Sequence, residues 1–237
     1  RAIPEYVQLF QAAFPAEATQ TEGADIIGFS TYGRAVAAYA RELVTRNSPY
    51  DQYVRGNDGA LTDEQKWGLE LFFTKAKCSV CHNGPMFSDF RLIRNGVPQV
   101  GVGKGDSGDD LGQEQNTGNP LDRYKFRTTT IRNVELTGPY MHDGFFETLE
   151  EVVRFYNDGC QPRHPAVVDA VIEPMLIEPL GLTDEEISAI VEFMKSLTDP
   201  GTALDPFLVT VPDEVPSGLE PLLGVSAAGK GASGSGR

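Results

Sequence analysis

Cys78-Ser79-Val80-Cys81-His82 constrains this chain more than any other segment: two thiols three positions apart, with a histidine directly after the second. That is the pattern of covalent haem c attachment. One helical turn presents both sulfurs to the two vinyl groups of a single porphyrin, and the next residue aims its imidazole at the iron. A redox Cys-x-x-Cys needs no histidine at that place. A zinc site needs a second ligand pair, which the one remaining cysteine, Cys160, does not supply. The expectation is one haem c, held by Cys78 and Cys81, with His82 as its proximal ligand.

The 237 residues suffice for one large domain or two small ones, and the 40% hydrophobic content supports a buried core. No apolar run approaches the ~20 residues of a membrane span. A net charge of −14 argues against nucleic acid as a partner and suits an encounter with a basic redox protein. Haem c is attached outside the bacterial cytoplasm, so the motif implies the periplasm or the cell surface. The opening Arg1-Ala2-Ile3-Pro4-Glu5-Tyr6 is not a signal peptide, which reads as a mature chain or a fragment.

Helical periodicity predicts an all-α, cytochrome c-like haem domain with long irregular loops and little sheet. Val7, Phe10 and Phe14 mark a first amphipathic helix after Pro4. A second runs from Ser30 to about Arg46, with Asn47-Ser48-Pro49 as its stop. Capping boxes at Thr62/Gln65, Thr148/Glu151 and Thr183/Glu186 open three more. On the helix after Thr148, Leu149, Val152, Val153 and Tyr156 fall at i, i+3, i+4 and i+7, which turns the tyrosine inward. The Gly/Asp/Asn-rich region 83–125 reads as a long loop. Residues 51–212 form the expected haem domain, and 213–237 a low-complexity tail with little apolar content to repay ordering.

A second region adds a family resemblance. Phe126-Arg127-Thr128-Thr129-Thr130-Ile131-Arg132-Asn133-Val134 and Leu136-Thr137-Gly138-Pro139-Tyr140-Met141-His142-Asp143-Gly144 resemble the C-terminal haem domain of the bacterial dihaem cytochrome c peroxidases, a superfamily that includes MauG-type enzymes. Asn47 to Asp51, Cys81 to Pro85 and Leu180 to Thr183 match as well, so the resemblance spans about residues 4 to 212. It implies a peroxide-dependent oxidoreductase with a protein electron donor: a small cytochrome c, a cupredoxin or a protein substrate. Residues 1–50 then resemble the closing helices of a preceding haem domain, whose own Cys-x-x-Cys-His is not in this sequence. A second haem domain or subunit becomes an implied partner. The alternative is a monohaem c-type electron-transfer subunit of a larger assembly, without peroxidase activity of its own.

The resemblance also bears on the distal ligand. Family peroxidases carry methionine fourteen residues beyond the His-Asp-Gly histidine, and MauG-type members carry tyrosine; here the residue is Tyr156. An anionic oxygen ligand favours ferric iron, whereas a thioether favours ferrous iron. Met141 is the rival ligand, and a hydrogen-bonded core tyrosine is the structural alternative. Arg127 and Arg132 flank a segment expected along the haem, either as propionate partners or as surface arginines. The resemblance implies that backbone carbonyls of Thr137 and Pro139 help hold calcium, an ion that accepts such ligands. Trp67 reads as a core or surface residue, Cys160 as a free thiol in a turn, and Asp106, Asp109 and Asp110 as a solvated loop. His142 reads as structural or near the haem edge, and His164 has no assigned role.

Overall fold

The computed structural model describes residues 3–100, 108–201 and 215–219. They fall into two compact units, one with the residues up to Val44 together with 215–219, the other from Thr45 to Gly201. The expected C-terminal tail therefore lies outside the described residues, except for 215–219, and so does Asp106.

In the first unit, α1 (Pro4–Ala13) and α2 (Pro15–Ala18) each start on a proline, whose missing N–H costs nothing in the first helical turn. The third helix, α3 (Phe29–Glu42), closes the unit and buries only Thr31. Thr31 Oγ1 ties the helix start down by donating to the Ile26 carbonyl. Phe29 is 97% exposed, and Tyr32, Val36 and Tyr39 are between 49% and 60% exposed.

The second unit holds α4 (Pro49–Val54), α5 (Asp63–Phe73), α6 (Glu114–Thr117), α7 (Leu149–Asn157) and α8 (Asp184–Lys195). Its only sheet among the described residues pairs β1 (Leu92–Ile93) with β2 (Phe126–Arg127) in antiparallel register, Leu92 opposite Arg127. The fold is all-α, as the periodicity predicts, with little sheet. The boxes at Thr62, Thr148 and Thr183 cap α5, α7 and α8. One stop signal was a start. Ser48 caps α4, with Pro49 at its first position and Asp51 closing the box. The region expected as one long loop contains regular structure among its described residues, because β1 and α6 fall within it.

The core sits where α5 crosses α8. Gly68 permits the approach: a Cβ there would collide with the Ala189 carbonyl. Phe72 and Phe193 meet edge to face at 5.1 Å, and Tyr50 and Phe87 do the same, also at 5.1 Å. Such pairs contribute about 0.5–1.5 kcal/mol beyond area burial. Leu71, Ile187, Ile190, Met194 and Leu197 complete the cluster. The α7 helix packs on α8, placing Leu149 and Val153 in the same core.

Candidate functional site

A cavity of about 490 Å³ opens between α5, α7, α8 and the β1–β2 pair. Cys78, Cys81, His82, Arg127, Met141 and Tyr156 all line it. Its other walls are mainly apolar: Phe72, Ile131 and Ile190 from the core, Phe126 from β2, and Leu176 and Met175 from the segment between α7 and α8. The volume and the few convergent polar groups suit a buried organic cofactor.

Cys78 to Val80 form a short 3₁₀ turn, joined to the end of α5 by residues 74–77, and His82 N–H bonds back to the Cys78 carbonyl at 2.9 Å. That turn brings both thiols and the imidazole to one cavity. Burial pushes the Cys78 thiol up to about 12 and raises Cys81 as well, so both stay neutral. His82 Nδ1 lies 3.0 Å from the Phe87 carbonyl. A carbonyl only accepts, so Nδ1 carries the hydrogen and Nε2 keeps its lone pair. Phe87 adopts a left-handed backbone (φ 49°) at this point. Burial lowers the His82 pKa against the pull of the Phe87 and Thr129 carbonyls and of the Asp89 charge, which favours the neutral, metal-binding imidazole. Two thiols, an oriented imidazole lone pair and an apolar cavity of this size are a donor set that fits haem c.

The α7 helix supplies Leu149, Val152, Val153 and Tyr156 to the cavity wall, the same four positions that share one face in the sequence. The Tyr156 oxygen accepts a hydrogen bond from Asn95 Nδ2 at 3.1 Å. Burial is the largest influence on this phenol and pushes its pKa up, with the Asn95 bond acting in the opposite sense. Met141 sits in a left-handed conformation (φ 74°), beside the cluster of Phe146 and Phe155.

The two arginines separate. Arg127 lines the cavity, with its guanidinium 5.6 Å from the Phe90 ring centre. Arg132 is not among the lining residues. It makes a two-pronged bond to Asp51, at 2.9 and 3.0 Å, and donates through Nε to the Pro85 carbonyl. Thr137 and Pro139 lie on an exposed stretch outside the cavity lining. Among the described residues, no group of three or more His, Cys, Asp or Glu could hold a metal ion.

His142 lines the cavity too, stacked on Phe126 at 3.8 Å. Gln99 Oε1 accepts from the Asp110 amide, which aims Gln99 Nε2 at His142 Nε2, 3.0 Å away. An amide nitrogen only donates, so His142 Nε2 is the acceptor and its lone pair is engaged; burial lowers the His142 pKa against the pull of Asp143 and Asp110. Elsewhere, Trp67 is exposed on α5 and Cys160 is fully buried. Asp109 accepts from Tyr124 Oη at 2.8 Å, and the His164 ring lies against that same tyrosine. Sequence reasoning missed Asn95, Phe126 and Gln99. Their roles depend on partners many positions away, which no local pattern encodes.

Comparison with known proteins identifies the setting. A profile of the di-haem cytochrome c peroxidase family matches residues 1–59. The chain is 33% identical over 235 residues to the cytochrome-c peroxidase IdrP2 of Denitromonas iodatirespirans, covering 90% of this chain and 58% of that protein. It is 28% identical to the methylamine utilization protein MauG of Methylorubrum extorquens, covering 90% of this chain and 53% of the relative. The chain thus spans a little over half the length of the curated relatives it matches. Among solved structures, a MauG-like protein associated with microbial copper homeostasis superposes with a TM-score of 0.60 at 30% identity, over 83% of this chain and 62% of that one. The order of motifs, the helical fold around one cavity and these matches converge: the chain belongs to the superfamily of di-haem cytochrome c peroxidases and MauG proteins.

Proposed function

We propose that this chain is the C-terminal, electron-transferring part of a peroxide-dependent haem c oxidoreductase that works with a protein electron donor. The observation that carries this reading is the shared cavity, in which Cys78, Cys81, an oriented His82 and Tyr156 meet. Cys78 and Cys81 would hold one haem through thioether bonds, and His82 Nε2 would bind its iron. Bound haem supplies one-electron redox chemistry. Arg127 would pair with a propionate, whereas Arg132 is already committed to Asp51.

Tyr156 is the distal ligand in this reading, with Met141 as the alternative from the same cavity. An anionic oxygen on the iron would favour the ferric state, which suits oxidation of a protein partner better than routine electron relay. His142 offers no free Nε2 lone pair, and its part is to wall the cavity with Phe126. Residues 1–50 would be the closing helices of a preceding haem domain. The exposed apolar residues of α3 support this, since such a stripe fits a helix that packs elsewhere. Calcium bound by the carbonyls of Thr137 and Pro139 would need ligands from that preceding domain. A periplasmic or cell-surface location follows from the haem chemistry, and no helix among the described residues is long and apolar enough to cross a membrane.

The single Cys-x-x-Cys-His favours a second reading, a monohaem electron-transfer subunit. The intact mass of the native protein, denatured with its haem attached, separates the two. A heavier chain carrying two haems is the result expected for the enzyme. A 237-residue chain with one haem, and no peroxide turnover with a second chain supplied, would overturn it.

A further inference from the structure

Asn95 is held on both sides. Before it, Arg94 donates to three backbone carbonyls: Arg123 at 2.6 Å, Val171 at 2.8 Å and Leu121 at 2.9 Å. After it, Gly96 takes a left-handed conformation (φ 77°), and a Cβ there would press on the Arg163 side chain at 2.7 Å. The Gly96 carbonyl accepts the His164 N–H at 2.8 Å. The short β1–β2 pairing ends just ahead of this segment.

The amide itself is oriented. Its Oδ1 accepts the Val97 N–H at 3.4 Å, which leaves the NH₂ group facing Tyr156, 3.1 Å from the phenol oxygen. Among the described residues this is the one hydrogen bond the Tyr156 side chain makes. A donor fixed in advance and aimed at a buried oxygen is a pre-organised electrostatic element.

We propose that Asn95 is a positioning residue that tunes the haem potential by donating a hydrogen bond to the Tyr156 oxygen. The proposal rests on the reading of Tyr156 as iron ligand. Hydrogen bonding around the axial ligand is one of the levers a protein has on haem potential. A ferric iron draws more charge from an oxygen ligand than a ferrous one, so the oxygen is more negative after the iron gains an electron. The Asn95 bond is therefore stronger in the ferrous state, and its loss favours ferric iron.

The test is a one-electron spectroelectrochemical titration of the holoprotein with three variants. Asn95→Leu removes the donor and the cap on Val97. Asn95→Asp keeps the shape and the acceptor for Val97 N–H, and replaces the donor with an oxygen. Tyr156→Phe removes the ligand oxygen. The expected result is a shift of about tenfold toward ferric iron in both Asn95 variants, about 59 mV for a one-electron couple. The tyrosinate-to-iron charge-transfer band should move in both and vanish in Tyr156→Phe.

Potentials and band equal to wild type in both Asn95 variants, with the band lost in Tyr156→Phe, would overturn the Asn95 role and leave Tyr156 as ligand. A shift in Asn95→Leu alone would trace to the lost Val97 contact and overturn the donor role as well. A Tyr156→Phe protein with an unchanged spectrum and potential would bring down the ligand reading and this inference together.

Discussion

Arg127 and Arg132 are five positions apart in one segment, yet they face different tasks. Arg132 and Asp51 are both nearly buried, and removing one member of such a pair typically costs about 3–5 kcal/mol. Burial works against ionisation of Asp51, but hydrogen bonds from Arg132 and Ser48 outweigh it and hold its carboxyl below the usual range. A lowered folded-state pKa gives stability that is present above the unfolded value of about 3.9. That stability is lost as the pH falls through the folded value. Arg132→Met should therefore lower stability by about 3 kcal/mol in denaturant titrations near neutral pH. It should also weaken the loss of stability on going to about pH 3, because the depression of Asp51 disappears with its partner. An unchanged acid profile would show that the pair does not control Asp51. The sequence alone could not distinguish the two arginines. What sets Arg132 apart is an aspartate 81 residues away, brought near by tertiary folding.

At the level of elements, short-range signals were legible and long-range ones were not. The Thr62, Thr148 and Thr183 boxes mark true helix starts because each is complete within four residues. The haem motif is legible for the same reason: Cys78, Cys81 and His82 are fixed by one turn. Ser48-Pro49 carries two local signals at once: proline stops a preceding helix, while serine, N1 proline and Asp51 form the box that starts α4. The crossing of α5 and α8 was beyond reach, because Gly68 looks like a weak point in a helix until Ala189 is known to lie against it. Gly68→Ala thus opposes two tendencies: alanine improves helix propensity by about 1 kcal/mol, while the collision with the Ala189 carbonyl forces the helices apart. Since the obstacle is backbone rather than a flexible side chain, separation should win, with a net loss of about 2 kcal/mol or more by thermal or urea unfolding. A gain in stability would mean that the two helices can slide without cost.

Across the whole molecule, burial and charge are both uneven. Amides of α5 and α8 sit over a core of Phe72, Ile190 and Phe193, whereas α3 buries one side chain. Native-state hydrogen exchange should find α8 among the slowest amides and α3 among the fastest. Protection of α3 equal to that of α8 would show that something covers its apolar face. In the proposed reading charge would govern the encounter with a donor: a net charge of −14 would attract a basic redox protein over distances longer than any contact. Arg127, exposed at the edge of the cavity, and Arg91, exposed and paired with Asp89, temper that field locally. If the overall field steers association, the second-order rate of reduction by a small basic cytochrome should fall steeply as salt rises through the range where the Debye length shrinks from about 10 to 3 Å. A small uncharged reductant, which feels no such field, should keep its rate. Stopped-flow measurement of both donors on the holoprotein makes the comparison. A rate independent of salt with the basic donor would place docking at the arginine-bearing edge, where the net charge of the molecule has little say.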